Sequence, residues 1–216
     1  MKYLFLFLLP VFSLPIYAQS WVGFSFGGNF SQVRFTNSDG VVNKNLKGLP
    51  GTTATVFYQR SISKEKKMYS ATNLIGFELG YKSSRVQDKA SSLLTIWNMH
   101  YLTNSLTFRH NSNSKRKANP FYGGGVVLDY LMSGTQNRGF NQFNITEDIK
   151  PLNVSVTVET GLNYHISDDA NTTLRLAYLR GLANLEKDPS QQAYIHALRL
   201  SITLFFNLKD NGKRKR

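Results

Sequence analysis

The strongest constraint on this chain is a period of two. From residue 20 onward, apolar and polar residues alternate over long stretches, with little at helical spacing, and polar, Gly-rich or Asn-rich segments interrupt them. Eight segments carry the pattern: 20–35, 51–62, 68–82, 92–109, 120–133, 152–166, 172–183 and 192–207. In the sixth, Leu152, Val154, Val156, Val158, Leu162, Tyr164 and Ile166 fall on one face. Asn153, Ser155, Thr157, Glu159, Gly161, Asn163 and His165 fall on the other. The eighth sets Leu198, Leu200, Ile202, Leu204 and Phe206 against Ala197, Arg199, Ser201 and Thr203.

Alternation alone also suits a soluble sandwich, whose apolar faces share one core. The two cases separate on the character of the polar face, because a solvated face normally carries several charges. Here it is built from small residues with few charges: Gly23, Ser25, Gly27, Asn29 and Ser31, then Gly76, Glu78, Gly80 and Lys82, then Gly123, Gly125 and Asp129, and later Arg175 and Ala177. Such a face suits the crowded lumen of a narrow barrel. The fold class read from the sequence is therefore all-β, an eight-stranded antiparallel up-and-down transmembrane β-barrel.

The N-terminus supplies a route to a membrane. Lys2 precedes a short apolar run over 3–14, followed by Pro15, Ile16, Tyr17, Ala18 and Gln19. The run is shorter than the about 18 residues of a membrane-spanning helix, and small Ala18 before polar Gln19 suits cleavage. We read 1–18 as a secretory signal peptide, 19–207 as the barrel and 208–216 as a basic tail, with export through the Sec pathway to the outer membrane. Cysteine is absent, which removes a lipid attachment site, a disulfide framework and a thiolate metal site.

The formal charge of +13 raises nucleic acid as a partner. The excess, however, gathers in connections and tail: Lys44 and Lys47; Lys64, Lys66 and Lys67; Lys115, Arg116 and Lys117; and 213–216. These read as solvated turns beside anionic lipid head groups, not as a nucleic-acid surface. The expected partners are outer-membrane lipids and lipopolysaccharide, and the barrel-insertion machinery during biogenesis. The expected state is a monomer, and a protein partner at the outer loops is left open.

Connection lengths follow parity. With strand one rising from the periplasm, the outer loops cover 36–50, 83–91, 134–151 and 184–191, and the inner turns 63–67, 110–119 and 167–171. Long outer loops with shorter inner turns are the outer-membrane pattern. Apolar-face aromatics then sort by height, Tyr81, Tyr130, Tyr178 and Tyr194 near the outer rim and Tyr58, Phe108, Tyr122, Tyr164 and Phe206 near the inner one. Two aromatic girdles around an aliphatic band are expected of rings at lipid interfaces.

Several short motifs resemble those of the outer-membrane β-barrel domain family that includes the PorT-like proteins. Gly27, Gly28, Asn29, Phe30 and Ser31 are similar to its Gly-x-Asn-x-Ser. Pro120, Phe121, Tyr122, Gly123, Gly124 and Gly125 are similar to its Pro-Tyr-x-x-x-Gly, and Arg175, Tyr178, Gly181 and Leu182 to its Arg-Tyr-x-x-Gly-Leu, with Leu176 and Ala177 inserted. Tyr101 to Leu106 resembles its Tyr-Leu-x-Ile-Pro-Leu with Ser105 in place of proline, and 207–216 extends past the terminal aromatic Phe206. The resemblance implies a small porin-like barrel in the outer membrane and leaves the activity unassigned.

On the assigned faces Glu78, Lys82, Asp129, Glu159, Arg175 and Arg199 point inward, and buried charges must pair, so an interior charge network is expected. It reads either as a polar plug or as a gate. His100, His110, His165 and His196 lack metal-ligand spacing. Gly23 to Gly27 spells Gly-x-Ser-x-Gly around Ser25, but inside a strand and without the turn and helix of a nucleophile elbow. The Gly123 to Gly125 run likewise lacks the helix needed to cradle phosphate. No cofactor is expected. The leading function is a non-enzymatic barrel with a structural or binding role through its outer loops, above all 134–151. The alternatives are a small gated pore, an accessory of a secretion or assembly system, and an enzyme acting at the outer rim, for which no clustered acid, base or nucleophile is seen.

Overall fold

The computed structural model describes residues 20–62, 73–89, 94–112, 117–167 and 169–208. The leader read over 1–18, the beginning of strand three at 68–72 and all but the first residue of the tail lie outside these. The described residues form nine strands: β1 (Ser20–Thr36), β2 (Leu46–Ser61), β3 (Asn73–Asp88), β4 (Thr95–Asn111), β5 (Ala118–Arg138), β6 (Asn141–Asn144), β7 (Leu152–Ser167), β8 (Ala170–Gly181) and β9 (Gln192–Leu208). All pairings are antiparallel. β9 returns to β1 and β4 pairs with β5, so eight strands close a ring, and β6 is a short hairpin partner on β5. Closure by β1 and β9 is unbroken from Ser20↔Leu208 to Thr36↔Gln192.

Closing so few strands brings backbones together along the lumen. A Cβ on Gly27 would sit 2.7 Å from the Ser201 Cβ and 2.8 Å from its Cα, so at this height the β1–β9 seam admits only glycine. Gly28, one residue on, faces outward, and its nearest neighbour would be the Phe30 ring at 3.8 Å.

Three strands run further than the sequence pattern predicts, each for a local reason. β2 begins at Leu46 instead of 51, because the register slips between Leu49 and Thr53 and the slip interrupts the alternation. β5 continues past 133 to Arg138 after a bulge opposite His100 and Tyr101 that reverses its phase. β3 continues past 82 to Asp88, its polar Ser83, Ser84 and Arg85 pairing with His100, Met99 and Asn98 of β4. The outer connection expected at 83–91 is therefore largely strand. The expected loop 134–151 is replaced by the end of β5, the β5–β6 hairpin and a segment at 145–151. Gly139 and Phe140 close that hairpin, with a positive φ of 59° at Gly139, as a type II′ turn requires.

Inward residues stack in layers. At the end carrying Ser20 and Leu208, Trp21, Phe57, Leu74 and Phe205 form an apolar plug, with the Phe57 and Phe205 rings edge to face at 5.4 Å. A charged layer lies above it. At the loop end Val86, Met99, Tyr101, Leu131, Leu185, Ala193 and Ile195 form a second apolar cluster.

Candidate functional site

Seven ionisable side chains are buried in the middle layer: Glu78, Lys82, Arg109, Asp129, Glu159, Arg175 and Arg199. Each sits on the inward phase of its strand, so the pleat alone delivers them to one space. Arg175 of β8 reaches across the lumen to Glu78 of β3 with a two-pronged pair, Nη1 donating to Oε2 at 2.9 Å and Nη2 to Oε1 at 3.0 Å. Glu78 also accepts from Thr55 at 2.7 Å and from Arg199 Nη1 at 3.3 Å. Arg109 pairs through Nε and Nη2 with the two oxygens of Glu159, the second at 3.3 Å, and its guanidinium lies between the Phe57 and Phe121 rings at 4.6 and 4.8 Å. Lys82 donates to Asp129 and lies 5.0 Å from the Tyr101 ring centroid. Asn153 donates to the same carboxylate at 3.2 Å.

The six residues read from the sequence thus meet in one layer, and the structure adds Arg109, which that reading omitted. Its signal was available: Arg109 shares the inward phase of Ser105 and Thr107. With Arg109 included, four cations face three carboxylates. Nε and Nη2 of Arg199, Nη1 of Arg109 and Oδ1 of Asp129 have no hydrogen-bond partner. The void beside Arg175 and Arg199 is about 10 Å³, the volume of a single water site.

The remaining sequence candidates take structural places. Ser25 is buried inside β1 and accepts a hydrogen bond from Thr203 at 2.9 Å. No helix follows it, so it does not form an elbow. Gly123 faces Arg109 and leaves room for its stem. The histidines pair with separate neighbours: His100 with Tyr81, stacked and hydrogen-bonded at 2.5 Å, His196 with Tyr178 at 3.2 Å, His110 with Asn73 at 2.9 Å and with the Tyr122 ring at 5.1 Å between centroids, and His165 with Asn171 at 3.1 Å. Among the described residues no group of three His, Asp or Glu side chains is arranged to hold a metal ion.

The loop end carries a cavity that strand patterning does not reveal. It measures about 280 Å³ and lies among Phe35, Leu46, Val86, Trp97, Met99 and Ile149, with Asp88, Asp148 and Glu186 also in its wall. Its roof is tied down by backbone hydrogen bonds. Lys150 N donates to Leu185 O at 2.8 Å and Leu185 N to Ala193 O at 2.9 Å, while Ile149 and Glu186 form an isolated bridge. Asn184 Oδ1 accepts from Glu186 N at 3.1 Å and from Ala193 N at 2.8 Å, fixing the β8–β9 connection. Partial burial, with Asp188 and Asp148 nearby, pushes the Glu186 carboxyl above its usual range. Hydrogen bonds from Ser190 hold Asp188 below its own.

No protein-family model and no curated protein matches the chain. Among solved structures it is similar to small outer-membrane β-barrel proteins. Neisserial surface protein A aligns at 11% identity over 85% of this chain and 96% of that one, with a TM-score of 0.46. The outer membrane protein OprG from Pseudomonas aeruginosa aligns at 10% identity over 88% and 97%, with a TM-score of 0.48. The outer membrane enzyme PagL aligns at 12% identity over 81% and 97%, with a TM-score of 0.36.

Proposed function

We propose that this chain is a non-enzymatic integral protein of the outer membrane, exported through the Sec pathway, whose lumen is closed to ions and whose specific role is structural or lies in binding at its loop end. The observation that carries this reading is the outer surface of the ring. Phe24, Phe26 and Phe30 of β1, Val156 and Val158 of β7, Leu174 and Leu176 of β8, and Leu198, Leu200, Ile202, Leu204 and Phe206 of β9 are all exposed. Among the described residues, no Asp, Glu, Lys or Arg interrupts this surface between Arg34, Arg85 and Arg180 toward one rim and Arg60 toward the other. On β9 the band from Leu198 to Phe206 matches the about 9–11 residues with which a tilted strand crosses a bilayer. A water-soluble monomer rarely exposes a continuous apolar patch beyond a few hundred Å², whereas hydrocarbon solvates one at no cost. The Tyr–His pairs at Tyr81 and Tyr178 suit the head-group level, where a ring is half wet.

Heat-modifiable migration and a β-rich circular dichroism spectrum in detergent test this reading, and a helical spectrum contradicts it. A packed charge layer above an aromatic plug also leads us to expect no steady unitary conductance in planar bilayers. A gated pore is favoured by one observation, the surplus cation and unpartnered Arg199 nitrogens, which leave the layer incompletely neutralised. Stable channels in Glu78→Gln but not in the parent protein would support it. The finer placement beside the PorT-like barrels, with an accessory role in an assembly system, is supported by motif order alone.

A further inference from the structure

Outward residues stack in rows where β1, β9 and β8 lie side by side. Phe30, Leu198 and Tyr178, paired directly across the three strands and all exposed, form the last row of the apolar band. Gln32, His196 and Arg180 form the next row toward the loop end, and Arg34 stands above it opposite Tyr194. The band therefore stops against two exposed guanidinium groups with a histidine between them, and both act electrostatically on His196. Among the described residues neither Arg34 nor Arg180 has a side-chain hydrogen bond or a carboxylate partner, whereas Arg85 at the same rim donates to Asn98 at 3.0 Å. The acids of the neighbouring connections are engaged elsewhere. Asp188 accepts from Ser190 and Gln191, Asp39 from Asn37, and the charges acting on Glu186 are those of Asp188, Asp148 and Lys150.

We propose that this face of the barrel binds a phosphate-bearing lipid of the surrounding leaflet, with its phosphate between Arg34 and Arg180 and its chains along the rows beneath. Paired strands lie about 4.8 Å apart, so β1 and β8 are about 10 Å apart across β9 and their arginine side chains can converge over His196. A guanidinium presents forked donors that match two phosphate oxygens, and at the edge of hydrocarbon such a bond is less screened than in bulk water. Tyr178, stacked on His196 and hydrogen-bonded to it at 3.2 Å, sets an amphipathic ring at the lower edge of the site. A free phosphate would gain the guanidinium contacts alone. A lipid adds its chains on Phe30, Leu198 and Leu200 and is held at the surface at high effective concentration.

This inference rests on the membrane reading above for the side that meets lipid. The full-length protein folded in detergent is titrated with dioleoyl phosphatidate, and bound lipid is counted by native mass spectrometry. Dioleoylglycerol, with the same chains and no phosphate, and inorganic phosphate, with no chains, are the comparison probes. Phosphatidate is expected to bind about tenfold more tightly than dioleoylglycerol, and inorganic phosphate at the same concentration to leave that binding unchanged. Arg34→Gln with Arg180→Gln is expected to weaken phosphatidate about tenfold and to leave dioleoylglycerol as it was. Arg34→Lys with Arg180→Lys, which keeps the charge and loses the forked donors, should fall between that variant and the parent. Arg85→Gln with Arg138→Gln removes the same charge from strands flanking β4, across the ring from β9, and is expected to change neither lipid. Equal phosphatidate binding by the parent and the Arg34/Arg180 variants, a loss matched by the Arg85/Arg138 variant, or displacement by inorganic phosphate would overturn the site. Heat-modifiable migration of the same samples reports separately on the membrane reading, so absence of phosphate selectivity with migration intact counts against the lipid site alone.

Discussion

Glu78 is the residue on which most of the interior depends, because two guanidinium groups from β8 and β9 converge on its carboxylate. Removing one partner of a buried pair leaves the other charge uncompensated, so Glu78→Gln is expected to lower unfolding stability by about 3–5 kcal/mol. Urea midpoints in detergent measure this. Adding Arg175→Met should recover part of the loss, since the stranded charge goes with it. Glu186 behaves in the opposite sense. Its carboxyl is raised in the folded state, so the folded chain holds that proton more tightly than the unfolded one, and its contribution to stability falls as pH rises from the ordinary carboxylate range through the raised value. Comparing thermal midpoints of parent and Glu186→Gln at acidic and neutral pH should show the variant gaining relative to the parent at neutral pH. At this scale the network was legible in Glu78, Lys82, Asp129, Glu159, Arg175 and Arg199, because inward phase follows from strand parity alone. Arg109 escaped because the expected strand four ended on it, where phase carries least weight.

The strands themselves were readable wherever alternation is unbroken, as in β1, β7 and β9, whose observed bounds differ from those expected by no more than a residue or so. Bulges limited the reading elsewhere. A slipped register reverses or suspends the phase, so a strand looks finished where it only bends, as β5 does near 133 and β2 does near 51. β3 hid its outer third for another reason, since Ser83, Ser84 and Arg85 have the composition of a loop while pairing fully with β4. The loop-end cavity was invisible because it is assembled from the ends of five strands and from three connections far apart in the chain. Element closure gives a paired test. Gly27→Val drives a side chain into the β9 backbone and is expected to eliminate the compact, heat-modifiable form, whereas Gly28→Val, facing outward with space around it, should preserve it.

For the molecule as a whole, the order of layers sets what the barrel can do. An aromatic plug, a paired charge layer and a second apolar cluster fill the lumen in turn, which leaves the loop end as the surface with an unfilled cavity of ligand size. All of this presupposes that the aliphatic outer face meets hydrocarbon. The chain contains no cysteine, so single cysteines can carry a nitroxide without background labelling. Leu200 and Leu176 are cross-strand partners in the middle of the band, and both are exposed. Nitroxides on Leu200→Cys and Leu176→Cys in lipid vesicles are expected to collide freely with oxygen and to be shielded from a water-soluble nickel chelate, while one on Asp188→Cys shows the reverse. Band positions as open to the chelate as Asp188 would contradict a membrane barrel.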